Sequence, residues 1–178
     1  MAITAGKFPL VTLAVGITLM LAGCGLTQSV TDGTVAVTKS IFYKQVKILH
    51  LDIRAREAVN SNAGGVALST VVRIYQLKDR KTFDSMDYPS LFKDDSQAVK
   101  ADLVAEKDIR LQPGGAVTVD MPMEKDAQYV AVAGMFMSPD QENNTWRVVL
   151  SRDELDPEKA RVIDAGSNRL TLQALKDE

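Results

Sequence analysis

The chain has 178 residues, 46% of them hydrophobic and 25% charged, the balance of one ordinary globular domain with an appendage. A net charge of −2 and a pI near 5.5 leave no concentrated basic patch for nucleic acid. The densest basic run, KDRK at 78–81, contains an Asp and reads as a solvated loop.

From Phe8 to Thr31 the only ionisable side chain is Cys24. Lys7 and the amino terminus precede an apolar run, Phe8–Leu19, and small residues follow. That is the three-part plan of a secretory signal. A spanning helix needs about 20 predominantly apolar residues. Here the stretch fades at Leu21–Leu26, with Gly16, Gly23 and Gly25 in or beside it, so a cleaved signal fits better than an anchor. Cys24 is the only cysteine, which leaves a secreted chain with an unpaired thiol. Leu21-Ala22-Gly23-Cys24 resembles the bacterial lipobox, which implies acylation of Cys24 and removal of residues 1–23. Several acyl chains on one residue would hold the protein on a membrane, where one chain is marginal. Gly25 stands where an Asp tends to retain such lipoproteins in the inner membrane. The expected location is therefore the outer membrane, facing the periplasm.

Residues 24–42 read as a tether rich in Gly, Thr and Ser that accommodates a first short strand at Thr34–Thr38, and residues 43–178 as the folded domain. In KILHLDIRAR (47–56), Leu49, Leu51, Ile53 and Ala55 alternate with His50, Asp52, Arg54 and Arg56, the pattern of a half-buried strand. EAVNSNAGG (57–65) is a polar loop longer than a usual hairpin connection. GVALSTVVRIYQL (65–77) predicts a second strand, with Leu68, Val72 and Ile74 on one face and Ser69, Val71, Arg73 and Tyr75 on the other. Residues 78–95 break the alternation and predict one or two short helices. Ser85 and Asp87 are the candidate N-caps, and Pro89 sits in a first turn.

A helical turn and a strand over Glu106–Leu111 follow, then a turn at QPGG (112–115) and a strand in AVTVDMPM (116–123). QYVAVAGMFM (128–137) reads as a central strand buried on both sides, SPDQENNT (138–145) as a loop and WRVVLS (146–151) as a strand. Residues 152–167 are polar, and Leu170, Leu172 and Ala174 alternate in a last strand. Seven or eight short strands with few helices predict a mainly β, two-sheet sandwich.

Catalytic signatures do not emerge. His50 lies on the presumed outer face of a strand, and no G-x-S-x-G elbow accompanies it. One His and one acylated Cys do not make a zinc site. The nucleotide-binding glycine patterns are missing, and DELD (153–156) and KDD (93–95) lack the order of a calcium loop. No catalytic residue, metal or cofactor is expected beyond acyl chains on Cys24, and an enzyme is not the expected reading. Met121, Met123, Met135 and Met137 alternate as core residues would.

VVRIYQLKDRKTF (71–83), DYPSLF (87–92), ADLVAEKDIRLQPGGAVTVDMP (101–122), YVAVAGMF (129–136) and WRVVL (146–150) resemble, in this order, the TssJ/SciN lipoproteins of type VI secretion systems. The resemblance implies a transthyretin-like antiparallel sandwich with helices inserted after the second long strand, at about 78–95. It also implies a partner: the periplasmic C-terminal domain of the IcmF-like inner-membrane protein TssM, bound to build a trans-envelope complex. The family's contact loop joins its first two strands, which carries the expected site onto Glu57, Ala58, Val59, Asn60, Ser61 and Asn62. Val59 is the exposed apolar candidate in a loop that the fold does not need for closure. The competing expectation is a periplasmic carrier of a small ligand, since sandwiches of this kind also bind ligands. The apolar residues of 128–137 favour a filled core over a cavity.

Overall fold

Alternating apolar residues build two four-stranded sheets that face each other. The structure, a computed structural model, describes residues 45–92 and 97–175. Cys24, the signal, the tether with its strand at Thr34–Thr38, and the acidic run at 93–95 lie outside the described residues.

The elements run β1 (Ile48–Ala55), β2 (Thr70–Leu77), α1 (Lys81–Ser85), α2 (Tyr88–Phe92), α3 (Gln97–Lys100), β3 (Leu103–Leu111), β4 (Ala116–Pro122), β5 (Tyr129–Gly134), β6 (Arg147–Ser151), β7 (Arg161–Gly166) and β8 (Arg169–Leu172). A 3-10 turn at Arg152–Glu154 follows β6. One sheet has the order β4-β1-β7-β8 and the other β3-β2-β5-β6. Every neighbouring pair is antiparallel except β1 with β7, which run parallel.

Leu49, Leu51 and Ile53 of β1 face Val72 and Ile74 of β2 across the interior, and all five are fully buried. Each such side chain contributes roughly 1.5–3 kcal/mol. Gln76 is the polar exception at 0% exposure. Its Nε2 donates to the Pro122 carbonyl, and its Oε1 accepts from the Glu124 amide, both at 2.8 Å. Both polar ends are thus satisfied, as burial demands.

The helices cover the outer face of the second sheet. Tyr75, on the face opposite Val72 and Ile74, is therefore buried and meets Phe83 edge-on at 5.4 Å between ring centres. Asp87 caps α2 by accepting from the Ser90 amide at 2.8 Å. Ser85 is no cap; its hydroxyl donates to the Thr82 carbonyl. Arg147 of β6 fastens the insertion, donating to the carbonyls of Phe83, Asp84 and Met86. Burial holds its pKa below the usual arginine value. β5 is buried from Val130 to Gly134 because the core covers one face and the helices the other, and only Tyr129 at its start is half-buried.

Several boundaries differ from the sequence reading. β2 begins at Thr70, so residues 65–69 belong to the loop and Leu68 to no strand. β3 begins at Leu103 instead of Glu106. The segment 152–167, read as polar, contains β7. Its inward row is Arg161, Ile163 and Ala165, all buried. A cation opens that row and hides the alternation. The Arg161 guanidinium is satisfied by the carbonyls of Glu154 at 2.5 Å and Gln173 at 3.3 Å.

Candidate interaction site at the loop end of the sandwich

β1 starts next to the segment that leads back to Cys24 and ends at Ala55, so the β1–β2 loop sits at the opposite end of that strand. The strand's 8 residues, at a rise of about 3.3 Å per step, separate the two ends by about 23 Å.

The loop is a folded object. Its first part is pinned by bonds from the Arg56 amide to the Ala165 carbonyl at 2.8 Å and from the Gly114 amide to the Arg56 carbonyl at 3.3 Å. Its tip is closed by Asn62. The Asn62 Oδ1 accepts from the amides of Gly64 and Val66, each at 3.0 Å. The Asn62 amide donates to the Val66 carbonyl at 3.0 Å. Gly65 has φ +77°, a conformation that an L side chain would strain.

The six residues expected to bind a partner divide into two groups. Glu57 and Ala58 are exposed, and Ser61 and Asn62 are half-buried. Val59 and Asn60 are buried, at 0% and 4% exposure. Val59 is thus not the exposed apolar contact that the sequence suggested. It joins the core as a plug at the open end of the sandwich. The fold does need this loop, because a two-residue turn would leave the space under Val59 empty.

Asn60 serves as the fastener beneath the surface. It adopts φ +50°, which Asn tolerates better than most residues. Its amide donates to the Ser167 carbonyl at 2.5 Å. Its Nδ2 donates to the Ser69 carbonyl at 3.2 Å, and its Oδ1 accepts from the Met137 amide at 2.8 Å. Three connections, β1–β2, β5–β6 and β7–β8, therefore meet at one residue. The exposed large apolar side chains at this end are Val66, at 58%, and Met137, at 61%. Sequence reasoning placed Met137 in the core by alternation, but β5 ends at Gly134 and the alternation ends with it.

His50 Nδ1 lies 2.5 Å from Asp120 Oδ1 on the outer face of the first sheet. Among the described residues no group of three or more His, Cys, Asp or Glu side chains is placed to hold a metal. No described helix is long and apolar enough to cross a membrane.

This geometry defines a class: a β-sandwich with a helical cover on one sheet, whose structured loops at one end offer a mixed apolar and polar surface. Residues 47–174 match the family model T6SS-SciN, described as type VI secretion lipoprotein, VasD, EvfM, TssJ. The chain belongs to this type VI secretion lipoprotein family. A search of the curated proteins found no match. Among solved structures, a chain in "Type VI membrane complex" is 57% identical with a TM-score of 0.71, and the match covers 73% of this chain and 100% of that one. A chain in "T6SS protein TssM C-terminal domain (869-1107) from EAEC" is 55% identical with a TM-score of 0.68, over 73% and 100% of the two chains. Serratia marcescens Lip, a membrane bound component of the type VI secretion system, shares the fold at 22% identity and a TM-score of 0.64, over 72% of this chain and 98% of Lip.

Proposed function

We propose that the protein is the lipid-anchored outer-membrane lipoprotein of a type VI secretion membrane complex. In this reading it binds the periplasmic C-terminal domain of TssM through the loop end of the sandwich and has no catalytic role. The observation that carries the reading is the 55% and 57% identity, over their full lengths, to chains in structures of the TssM C-terminal domain and of the type VI membrane complex. Acyl chains on Cys24 supply the anchor, and no cofactor is required.

The loop end suits the contact. Its backbone is already hydrogen-bonded, so little ordering entropy is lost on binding. Its exposed apolar residues, Val66 and Met137, sit beside polar Ser61 and Asn62, a composition suited to an interface with an apolar centre and polar rim. The packing of the core disfavours the alternative of a small-ligand carrier. The inward side chains of β5, Val130 and Val132, pack against Ile74 and Leu150 at 0% exposure.

Calorimetric titration tests the reading. The full lipoprotein in detergent is titrated with the periplasmic C-terminal domain of TssM from the same cell. Saturable binding with a defined stoichiometry is expected. No heat and no co-elution at micromolar concentrations would overturn it.

A further inference from the structure

Beside the β1–β2 loop, on the outer face of the first sheet, Arg56, Asp164, Gly166, Ser167, Arg169 and Thr171 line a small polar pocket. Gly166 pairs with Arg169 in the β7–β8 register. The Arg56 side chain lies across Gly166 from the other side. A Cβ at Gly166 would meet Arg56 Cδ at 3.0 Å and Nε at 3.4 Å. The missing side chain thus lets the two arginine stems approach one bare stretch of backbone. Among the described residues neither the Arg56 nor the Arg169 side chain has a hydrogen-bond or ion-pair partner. Other arginines do: Arg54, on the same sheet, is paired with Asp52, and Arg73, on the second sheet, with Asp108.

The acidic groups around the pocket do not neutralise it. Asp164 is the one carboxylate in its lining, and its Oδ2 accepts from Gln173 Nε2 at 2.6 Å. The Glu57 side chain lies against the Gly114 turn instead. Two guanidiniums against one engaged carboxylate leave a positive site with unused donors. Guanidinium donors match carboxylate and phosphate oxygens in geometry as well as charge.

We infer that Arg56 and Arg169 form a receptor for an acidic side chain of the protein partner, extending the docking surface from the β1–β2 loop onto the β7–β8 turn. The inference rests on the partner reading above. A protein carboxylate is the chosen occupant because the pocket is continuous with the loop surface: the Asn60 amide is bonded to the Ser167 carbonyl.

The test uses the full lipoprotein in detergent and the TssM periplasmic domain. Arg169→Glu and Arg56→Glu should each weaken binding at least tenfold and reduce its dependence on salt. Arg169→Lys should keep part of the affinity, as a charge without the planar fork. Thermal midpoints should stay within a few degrees, since both side chains are exposed; where a reversal unfolds the chain, Arg169→Gln supplies the reading. An acid-to-Lys scan of the TssM domain should find one variant that restores binding to Arg169→Glu, which a merely structural arginine would not allow. Wild-type binding with unchanged affinity in both reversals overturns the inference and leaves the partner reading intact. Absence of wild-type binding overturns both. Co-sedimentation with phosphatidylglycerol vesicles that is lost in Arg169→Glu, with TssM affinity unchanged, would assign the pocket to lipid and also overturn the inference.

Discussion

Asn60 Oδ1 accepts the Met137 amide hydrogen at 2.8 Å across 77 positions of sequence. One side chain thereby makes the β1–β2 and β5–β6 loops parts of a single surface. Asn60→Ala removes this bond and the one to Ser69, and leaves an Ala at φ +50°. Lost buried bonds at about 1 kcal/mol each, together with a left-handed conformation costing about 1–2 kcal/mol, predict a loss of about 2–4 kcal/mol. Urea unfolding measures it. Asn60→Gly, which relieves the conformation and still lacks the bonds, should lose less than Asn60→Ala. Equal stability of all three proteins would show that the fastening contributes nothing.

Val59 and Val66 stand seven positions apart in one loop and should behave in opposite ways. Val59→Ala opens space in the core and is expected to cost about 1–3 kcal/mol. Val66→Asp changes an exposed side chain and should alter stability by about 0.5 kcal/mol or less. It should nevertheless weaken TssM binding about tenfold, or roughly 1.4 kcal/mol. If Val66→Asp binds as the wild type does, the apolar part of the surface lies at Met137 alone or elsewhere.

Tyr75 gives a pH dependence with a definite sign. Burial, opposed in part by the neighbouring Arg73, pushes its phenol up to about 12. The folded chain therefore keeps its proton at pH values where the unfolded chain, near pH 10, has lost it. The unfolded state binds fewer protons in this window, so stability is full below pH 10 and falls as pH rises toward 12. Tyr75→Phe should flatten this fall, by roughly 1–3 kcal/mol at pH 12, when denaturant midpoints are followed from pH 8 to 12. Parallel curves for the two proteins would mean that the phenol ionises equally in both states.

Cys24→Ser removes the thiol on which the proposed acyl chains depend. The variant should leave the outer-membrane fraction, either as an unprocessed precursor or as a soluble periplasmic form, and secretion by the system should stop. Recovery of the variant in the outer membrane at the wild-type level would place the anchor elsewhere.

The sandwich could be read from the chain where burial alternates and only apolar residues point inward. Leu49, Leu51 and Ile53 are such a row, and β1 ends within a residue of its expected position. β7 was not legible because its inward row starts with Arg161, whose partners are carbonyls of distant turns. The loop could be located by its Asn and Gly content, but its inside and outside could not be assigned. Periodicity ends where regular structure ends, and burial there depends on which neighbouring turns close over it. That is why Val59 reads as surface and proves to be core, while Met137 reads as core and proves to be surface. The arginine pocket had no sequence signal, because Arg56 and Arg169 meet only through the parallel pairing of β1 with β7 and the hairpin to β8.

The course of β1 has a mechanical meaning. Val46, just before the strand, is held by Arg152, whose guanidinium donates to the Val46 carbonyl at 2.9 Å and to the Ala127 carbonyl at 2.6 Å. At its far end the same strand runs straight into the loop. In the proposed lipid-anchored reading, tension between the chain ahead of Val46 and a protein seated on that loop would travel along one covalent backbone only eight strand residues long. The remaining strands would flank this cable without lying in series with it. β4 and β7 hydrogen-bond to it on either side and resist its sliding by shear instead of peeling. A pull applied along this route loads the β1 backbone directly, and the hydrogen bonds to β4 and β7 in shear.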